Sequence, residues 1–259
     1  MVTCMDPTIR IKHLLVVAAV LASLAISVVP ASGEWFADLY AGPASTKKSQ
    51  VSVEGTKLDP AGDFTTKHQD VDFDASTSFG GRFGYWDETV SWLGVALDVS
   101  HFRPDAGRQT AITRETDADG SVRQRLTFAR LDISATLMSF DLMFRWPLLK
   151  TEEFPKGRLQ PYVSAGVGVV VATARDTTNF GPPNNQSTTD SSLGVKAAGG
   201  VAWQLYKKLF LFGEYRFTSI SPEFTFSPSP AAGADTTGKT RVGMDLNTHQ
   251  LLLGVSYRF

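Results

Sequence analysis

The last twelve residues of the chain, Thr248-His-Gln-Leu-Leu-Leu-Gly-Val-Ser-Tyr-Arg-Phe259, alternate between two kinds of side chain. The residues between the apolar ones are small or polar, with a single leucine as the exception. Successive side chains of a β-strand point to opposite faces. The segment is therefore predicted to be a strand with one polar and one apolar face. The apolar face comprises Leu251, Leu253, Val255, Tyr257 and Phe259.

The same period of two recurs along most of the chain. From Leu159 to Val171, for example, apolar residues alternate with glycine and polar residues. Reading every segment in this way predicts eight strands, each with an apolar face. They begin near Trp35, Ser78, Ser91, Thr127, Leu159, Leu193, Leu209 and Asn247.

The connections between these strands alternate in length. The second, fourth and sixth are short turns at 87–90, 147–158 and 206–208, whereas the other four are long and polar. Short turns on one side and long loops on the other are typical of outer-membrane barrels. We therefore predict an all-β fold, an eight-stranded antiparallel up-and-down transmembrane β-barrel. It would occupy residues 34–259, with four long extracellular loops and three short periplasmic turns.

All five tryptophans fall where the predicted strands end on the short-turn side. Amphipathic aromatic rings that collect at one level favour a membrane interface. The alternative is a soluble barrel or sandwich with core aromatics, which does not explain their clustering at one end. The predicted periplasmic-side girdle comprises Trp35, Trp86, Trp92, Trp146 and Trp203.

The first 33 residues have the pattern of a cleaved Sec signal peptide. Arg10, Lys12 and His13 precede a largely apolar run from Leu14 to Val29, and small residues follow it. The sixteen-residue run is short for a membrane helix, although an N-terminal anchor is the alternative. Cleavage before Glu34 would export the mature chain.

Composition limits the classes of function. The 25 basic and 26 acidic residues nearly cancel, which argues against a nucleic-acid partner. The single cysteine, Cys4, precedes the apolar run and would be lost with the signal segment. The mature chain is therefore expected to contain no disulfide.

Three segments carry a family resemblance. The closing strand alternates and ends in phenylalanine, Pro161-Tyr-Val-Ser-Ala-Gly-Val-Gly168 is glycine-rich, and Gly213-Glu-Tyr-Arg-Phe217 follows. Together they resemble the small OmpA-like outer membrane protein beta-barrel domain family over residues 34–259. The resemblance implies outer-membrane lipids as the surroundings and no single activity. It also implies that the barrel-assembly machinery recognises the C-terminal strand through Leu253, Val255, Tyr257 and Phe259.

Charged residues lie on the faces opposite the apolar band. Buried charges must be paired, so we predict a network of ion pairs inside the barrel. In one interpretation the network plugs the lumen, because eight strands leave an interior just wide enough for side chains. In the other, the pairs exchange partners and gate a narrow, low-conductance pore. The predicted network comprises Arg82, Asp98, Asp141, Arg145, Lys196, Glu214 and Arg216, with Asp38 and Tyr40 of the first strand as possible additions.

No catalytic, cofactor or metal site is predicted. His68, His101 and His249 do not have zinc-ligand spacing, and Asp117-Ala-Asp119-Gly120 lacks the later acidic residue of a calcium loop. A lipid A-modifying enzyme would need a serine, histidine and acid together near the outer leaflet. Ser100-His101 and His249 are expected on strands that are not neighbours, so the chain is predicted not to be an enzyme.

The long loops are the remaining functional surface. Their composition indicates segments that need not form a packed core. Phe180, Phe224 and Phe226 are either exposed contact residues or extensions of the strands. The sequence thus favours a structural or adhesin-like surface role with an unidentified extracellular ligand.

Overall fold

The computed structural model describes residues 33–58, 61–116, 122–125, 130–176, 186–226 and 236–259. In this part of the chain fourteen β-strands form two sheets. No helix among the described residues is long and apolar enough to cross a membrane. The predicted signal segment up to residue 32, the Asp117–Gly120 segment and Phe180 lie outside the described residues.

Eight antiparallel strands form a closed barrel, and barrel strands that are consecutive in the chain are neighbours in it. These strands are β1 (Gly33–Thr46), β4 (Ser76–Asp87), β5 (Leu93–Phe102), β8 (Leu131–Arg145), β9 (Leu159–Asp176), β10 (Gln186–Tyr206), β11 (Leu209–Ile220) and β14 (Leu246–Arg258). Closure comes from the first strand, which pairs with both β4 and β14. Every barrel strand therefore has two partners, as a strand surrounded by lipid requires. The predicted eight-stranded antiparallel barrel is confirmed.

The long connections contribute a second, six-stranded sheet. Its strands are β2 (Ser49–Leu58), β3 (Ala61–Val71), β6 (Ile112–Thr116), β7 (Val122–Arg125), β12 (Glu223–Phe226) and β13 (Thr236–Met244). Their order in the sheet is β12-β13-β2-β3-β6-β7, so hairpins from three different connections lie side by side. This arrangement cannot be predicted from any one connection, because each hairpin pairs along its outer edge with a strand from a different connection.

The second sheet covers an apolar core, and the expectation that the long loops need not form one was wrong. Phe224 and Phe226 are fully buried rather than exposed. They pack with Val53 and Val242 of the same sheet and with Leu137 inside the barrel. Alternation explains the core, since successive side chains of a strand point to opposite faces. The buried face of this sheet carries apolar residues such as Val51, Val53 and Val242, together with Thr113 and Thr240.

The barrel has two different ends. At the short-turn end lie the connections 88–92, 146–158 and 207–208, and at the long-connection end lies the second sheet. The turn 146–158 is itself ordered, because Leu148 bridges to Leu159 and Phe154 is buried within it.

The longest strands extend well beyond an outward apolar band. β10 has 21 residues, which at ~3.4 Å per residue and a tilt of ~40° span roughly 50 Å along the barrel axis. Its outward residues are apolar from Leu193 to Leu205 but polar from Ser187 to Ser191. A bilayer requires an apolar band only about 25 Å tall. The rest of the strand supports the second sheet.

Candidate functional site: the charged interior of the barrel

Ten charged side chains are buried inside the barrel, and their charges balance. Five are acidic and five are basic, so the set carries no net formal charge. Each lies on the inward-facing row of its strand. The ten are Glu34, Asp38, Asp98, Asp141, Glu214, Arg82, Arg145, Lys196, Arg216 and Arg258.

Glu214 of β11 lies at the centre of the larger cluster. Its carboxylate accepts hydrogen bonds from Arg82 Nη1 at 3.0 Å, Tyr162 OH at 2.7 Å and Arg216 Nε at 2.8 Å. Arg82 also donates through Nε to Asp38 at 2.9 Å. Removing Glu214 would therefore leave Arg82 and Arg216 each with one carboxylate partner instead of two.

Asp98 of β5 extends the cluster across the barrel. It accepts a hydrogen bond from Tyr40 OH at 2.8 Å and from Arg216 Nη2 at 3.2 Å. Lys196 lies between two carboxylates, with Nζ 3.1 Å from Asp98 Oδ1 and 2.6 Å from Asp141 Oδ2. Charges from β4, β5, β8, β10 and β11 are thus linked in one chain of contacts across the lumen.

Two glycines make room for the tyrosines of this cluster. A Cβ on Gly80 would lie 2.5 Å from Tyr40 OH, and one on Gly200 would lie 2.7 Å from Tyr162 Cζ. Any larger residue at either position would collide with the ring. The glycine-rich inward faces are therefore part of the site, because they allow the phenols to reach the carboxylates.

A second cluster lies at the short-turn end. Glu34 accepts a hydrogen bond from Arg145 Nη1 at 2.7 Å and one from Arg258 Nη1 at 3.3 Å. Arg145 stacks on the ring of Trp86 at 4.4 Å and Arg258 on that of Phe210 at 3.9 Å. Both guanidinium groups are thus held between a carboxylate and an aromatic face.

The structure places all seven residues of the predicted network inside the barrel, but in two clusters rather than one. Arg145 belongs to the short-turn cluster and the other six to the larger one. Sequence reasoning missed Glu34 and Arg258 and included Asp38 only as a possible addition. Alternation placed Arg258 on the polar face of the last strand, which could have identified it. Glu34, next to the expected cleavage site, gave no comparable signal.

One member of the predicted aromatic girdle is placed differently. Trp35, Trp92, Trp146 and Trp203 lie on the outer surface at the short-turn end, with 38–52% of each residue exposed. Trp86 is 3% exposed and points into the barrel, which corrects the prediction. Gly84 and Tyr85 beside it are buried as well, so burial does not alternate at this end of β4. The error was to assume that every tryptophan at this level faces outward.

The residues of the predicted assembly signal lie on the outer surface of β14. Leu253, Val255 and Tyr257 are exposed there, and Phe259 follows the strand. The Phe259 N–H donates to Trp35 O at 2.9 Å, so the last residue is held at the seam that closes the barrel. Recognition of this strand by the barrel-assembly machinery stays a prediction.

The histidines are not brought together. His101 Nδ1 contacts Thr136 Oγ1 at 3.0 Å, and His249 Nδ1 contacts Tyr215 OH at 2.5 Å. Two other strands, β1 and β4, separate β5 from β14 in the barrel. Ser100 points inward and is 1% exposed, so it lies on the opposite face from His101. Among the described residues, no group of three metal-binding side chains is close enough to hold an ion.

Comparisons with known proteins agree with this geometry. The model of the outer membrane protein beta-barrel domain family matches residues 17–259. No curated protein sequence matches the chain.

Among solved structures, the outer membrane protein OprG from Pseudomonas aeruginosa is 19% identical, with a TM-score of 0.52. The match covers 88% of this chain and 96% of that one. Neisserial surface protein A is 13% identical, with a TM-score of 0.46, over 88% of this chain and all of the other. Since the family model spans nearly the whole described barrel, the chain belongs to the outer membrane protein beta-barrel domain family and is an integral protein of the outer membrane.

Proposed function

We propose that this protein is a sealed scaffold that presents its second sheet outside the cell, in a structural or adhesin-like role. The observation that carries the proposal is the apolar core at the long-connection end. It joins Phe102, Leu137, Val170 and Ile220 of the barrel interior to Phe224 of the second sheet. A lumen filled by packed apolar side chains offers no path for ions or polar solutes.

The balanced charges support the same proposal. A channel that selects ions usually carries rings of one charge. Here each buried arginine or lysine of the larger cluster contacts a carboxylate, as Arg82 and Lys196 illustrate. Such a balanced set of ion pairs stiffens the barrel wall and does not line the lumen with charges of a single sign.

A narrow pore is the second candidate, and one observation favours it. A layer of buried polar atoms on Ser78, Ser100, Thr218 and Gln250 makes no hydrogen bond to the described residues. Buried polar groups of this kind commonly bind water. Hydration of this layer is compatible with a pore only if the apolar core beyond it opens.

Single-channel recording in a planar bilayer distinguishes these functions. We expect the refolded protein to give no stable conductance steps, and Glu214→Ala and Arg145→Ala to remain silent as well, because the apolar core stays closed. A heat-dependent gel shift verifies folding of each variant. Stable steps in the unaltered protein, changed in amplitude by Glu214→Ala, would replace the scaffold with a pore gated by the lumenal charges.

Cysteine labelling tests the orientation. The mature chain is expected to lack cysteine, so Lys67→Cys on the exposed face of β3 introduces a single thiol. We expect a membrane-impermeant maleimide to label this variant on intact cells. The matched variant Lys207→Cys, in the turn at the opposite end, is expected to label only after lysis. The reverse labelling pattern would mean that the barrel has the opposite orientation in the membrane, and it would rule out a role for the second sheet at the cell surface.

A further inference from the structure

Arg158 is held between two aromatic rings at the short-turn end of the barrel. Its guanidinium carbon lies 5.0 Å from the centre of the Phe154 ring and 5.2 Å from that of Trp203. Both distances are within the range of a cation–π contact. The charge is therefore fixed in position by the rings.

The backbone around Arg158 is fixed as well. Its N–H donates to Leu149 O at 3.2 Å, and its carbonyl accepts from Gln204 N at 2.8 Å. The preceding Gly157 has a φ of +87°, a conformation that favours glycine. The turn thus joins the end of β10 and aims the side chain of Arg158 at the ring of Trp203.

Arg158 differs from the arginines inside the barrel. The side chain of Arg158 is exposed, and no carboxylate among the described residues lies within ion-pair distance of it. The interior arginines, such as Arg145 and Arg216, each contact a carboxylate. An oriented guanidinium without an acidic partner keeps its donors available for an external anion.

The position of the site identifies the anion. Trp203 is an outward residue, 40% exposed, at the level where tryptophans of the barrel meet the membrane interface. At the end of the same strand, Lys207 Nζ lies 5.6 Å from the centre of the Tyr206 ring, which places a second cation at this rim. Lipid phosphates occupy this level, and a guanidinium fork matches two phosphate oxygens.

We propose that Phe154, Arg158 and Trp203 form a binding site for the phosphate of an anionic phospholipid. Arg158 supplies the donors and the rings hold it at the depth of the headgroup. Lys207 adds positive charge nearby, while the acyl chains lie along the apolar outer surface. In the proposed orientation of the barrel this lipid belongs to the periplasmic leaflet, but the site itself does not depend on the function of the loops.

The test is native mass spectrometry of the refolded full chain, titrated in detergent with phosphatidylglycerol. We expect Arg158→Gln to weaken the first phosphatidylglycerol site about tenfold, the loss of one charge-assisted contact. The control Arg175→Gln removes an exposed arginine from the other end of β9 and is expected to change nothing. Arg158→Lys keeps the charge but loses the planar guanidinium, so an intermediate affinity is expected. If Arg158→Gln does not refold, Arg158→Lys is compared with the unaltered protein instead.

Three results would overturn the proposal. The first is that Arg158→Gln binds phosphatidylglycerol as tightly as the unaltered protein does. If only Arg158→Lys refolds, the same comparison is made with that variant. The second is equally tight binding of phosphatidylcholine, which would indicate contacts with the acyl chains alone. The third is displacement of the lipid by millimolar inorganic phosphate, which would indicate a site for the free ion. The heat-dependent gel shift must be unchanged in the variants compared.

Discussion

Glu214→Ala is expected to destabilise the folded barrel by about 3–5 kcal/mol, the usual cost of removing one partner from a buried ion pair. The carboxylate accepts hydrogen bonds from two arginines and one tyrosine, and its side chain is fully buried. Its loss leaves Arg82 with Asp38 and Arg216 with Asp98, while Tyr162 loses its acceptor. Water cannot replace these contacts as readily as it does at a surface, so the penalty is large.

The measurement is a urea titration in lipid vesicles, followed by tryptophan fluorescence in both the unfolding and the refolding direction. Glu223→Ala is the matched control, since Glu223 pairs with Arg241 only at 3.9 Å and both side chains are exposed. An exposed pair contributes about 0–1 kcal/mol. Equal stability of the two variants would mean that the interior network does not hold the barrel together.

Val167→Arg is expected to impair insertion by about 2–4 kcal/mol, the cost of an arginine near the bilayer midplane of a β-barrel. Val167 is 57% exposed on the outer face of β9. It lies between Leu159, which pairs with Trp203 of the girdle, and Thr173, where the outward row becomes polar. The charge would therefore face lipid far from either interface.

Refolding into vesicles, scored by the gel shift, measures this effect. Thr173→Arg is the control, because it places the same charge on the same face of the same strand beyond the apolar band, where the cost falls to about 0–1 kcal/mol. The chain already carries Arg175 two residues farther along this row. If both variants insert equally well, the assigned depth of the band is wrong.

Much of the barrel could be predicted because its strands alternate so regularly. The inward or outward placement of Lys196 and Glu214 requires only the period of two and an apolar row beside them. Trp86 shows where this reasoning fails. At the membrane interface an aromatic ring is suited to either face of the barrel wall. The residue type therefore does not indicate whether the side chain points inward or outward. Trp86 points inward, where its ring stacks on Arg145.

The second sheet could not be predicted for a different reason. Val53 pairs with Val242 on one side and Thr66 on the other, across more than 180 residues in the first case. The short hairpins have too few apolar residues to indicate a core singly. Only when three connections lie side by side does each hairpin bury its apolar face.

The alternation of side chains was enough to predict the class of fold, the number of barrel strands and the side of the wall on which most charges lie, because a strand in lipid must alternate along its whole length. Only the folded chain shows which charges meet, that an apolar core joins the barrel interior to the second sheet, and that no described carboxylate pairs with Arg158 beside Trp203. Those features depend on the register between strands that are distant in the chain. The alternation within one strand does not indicate that register.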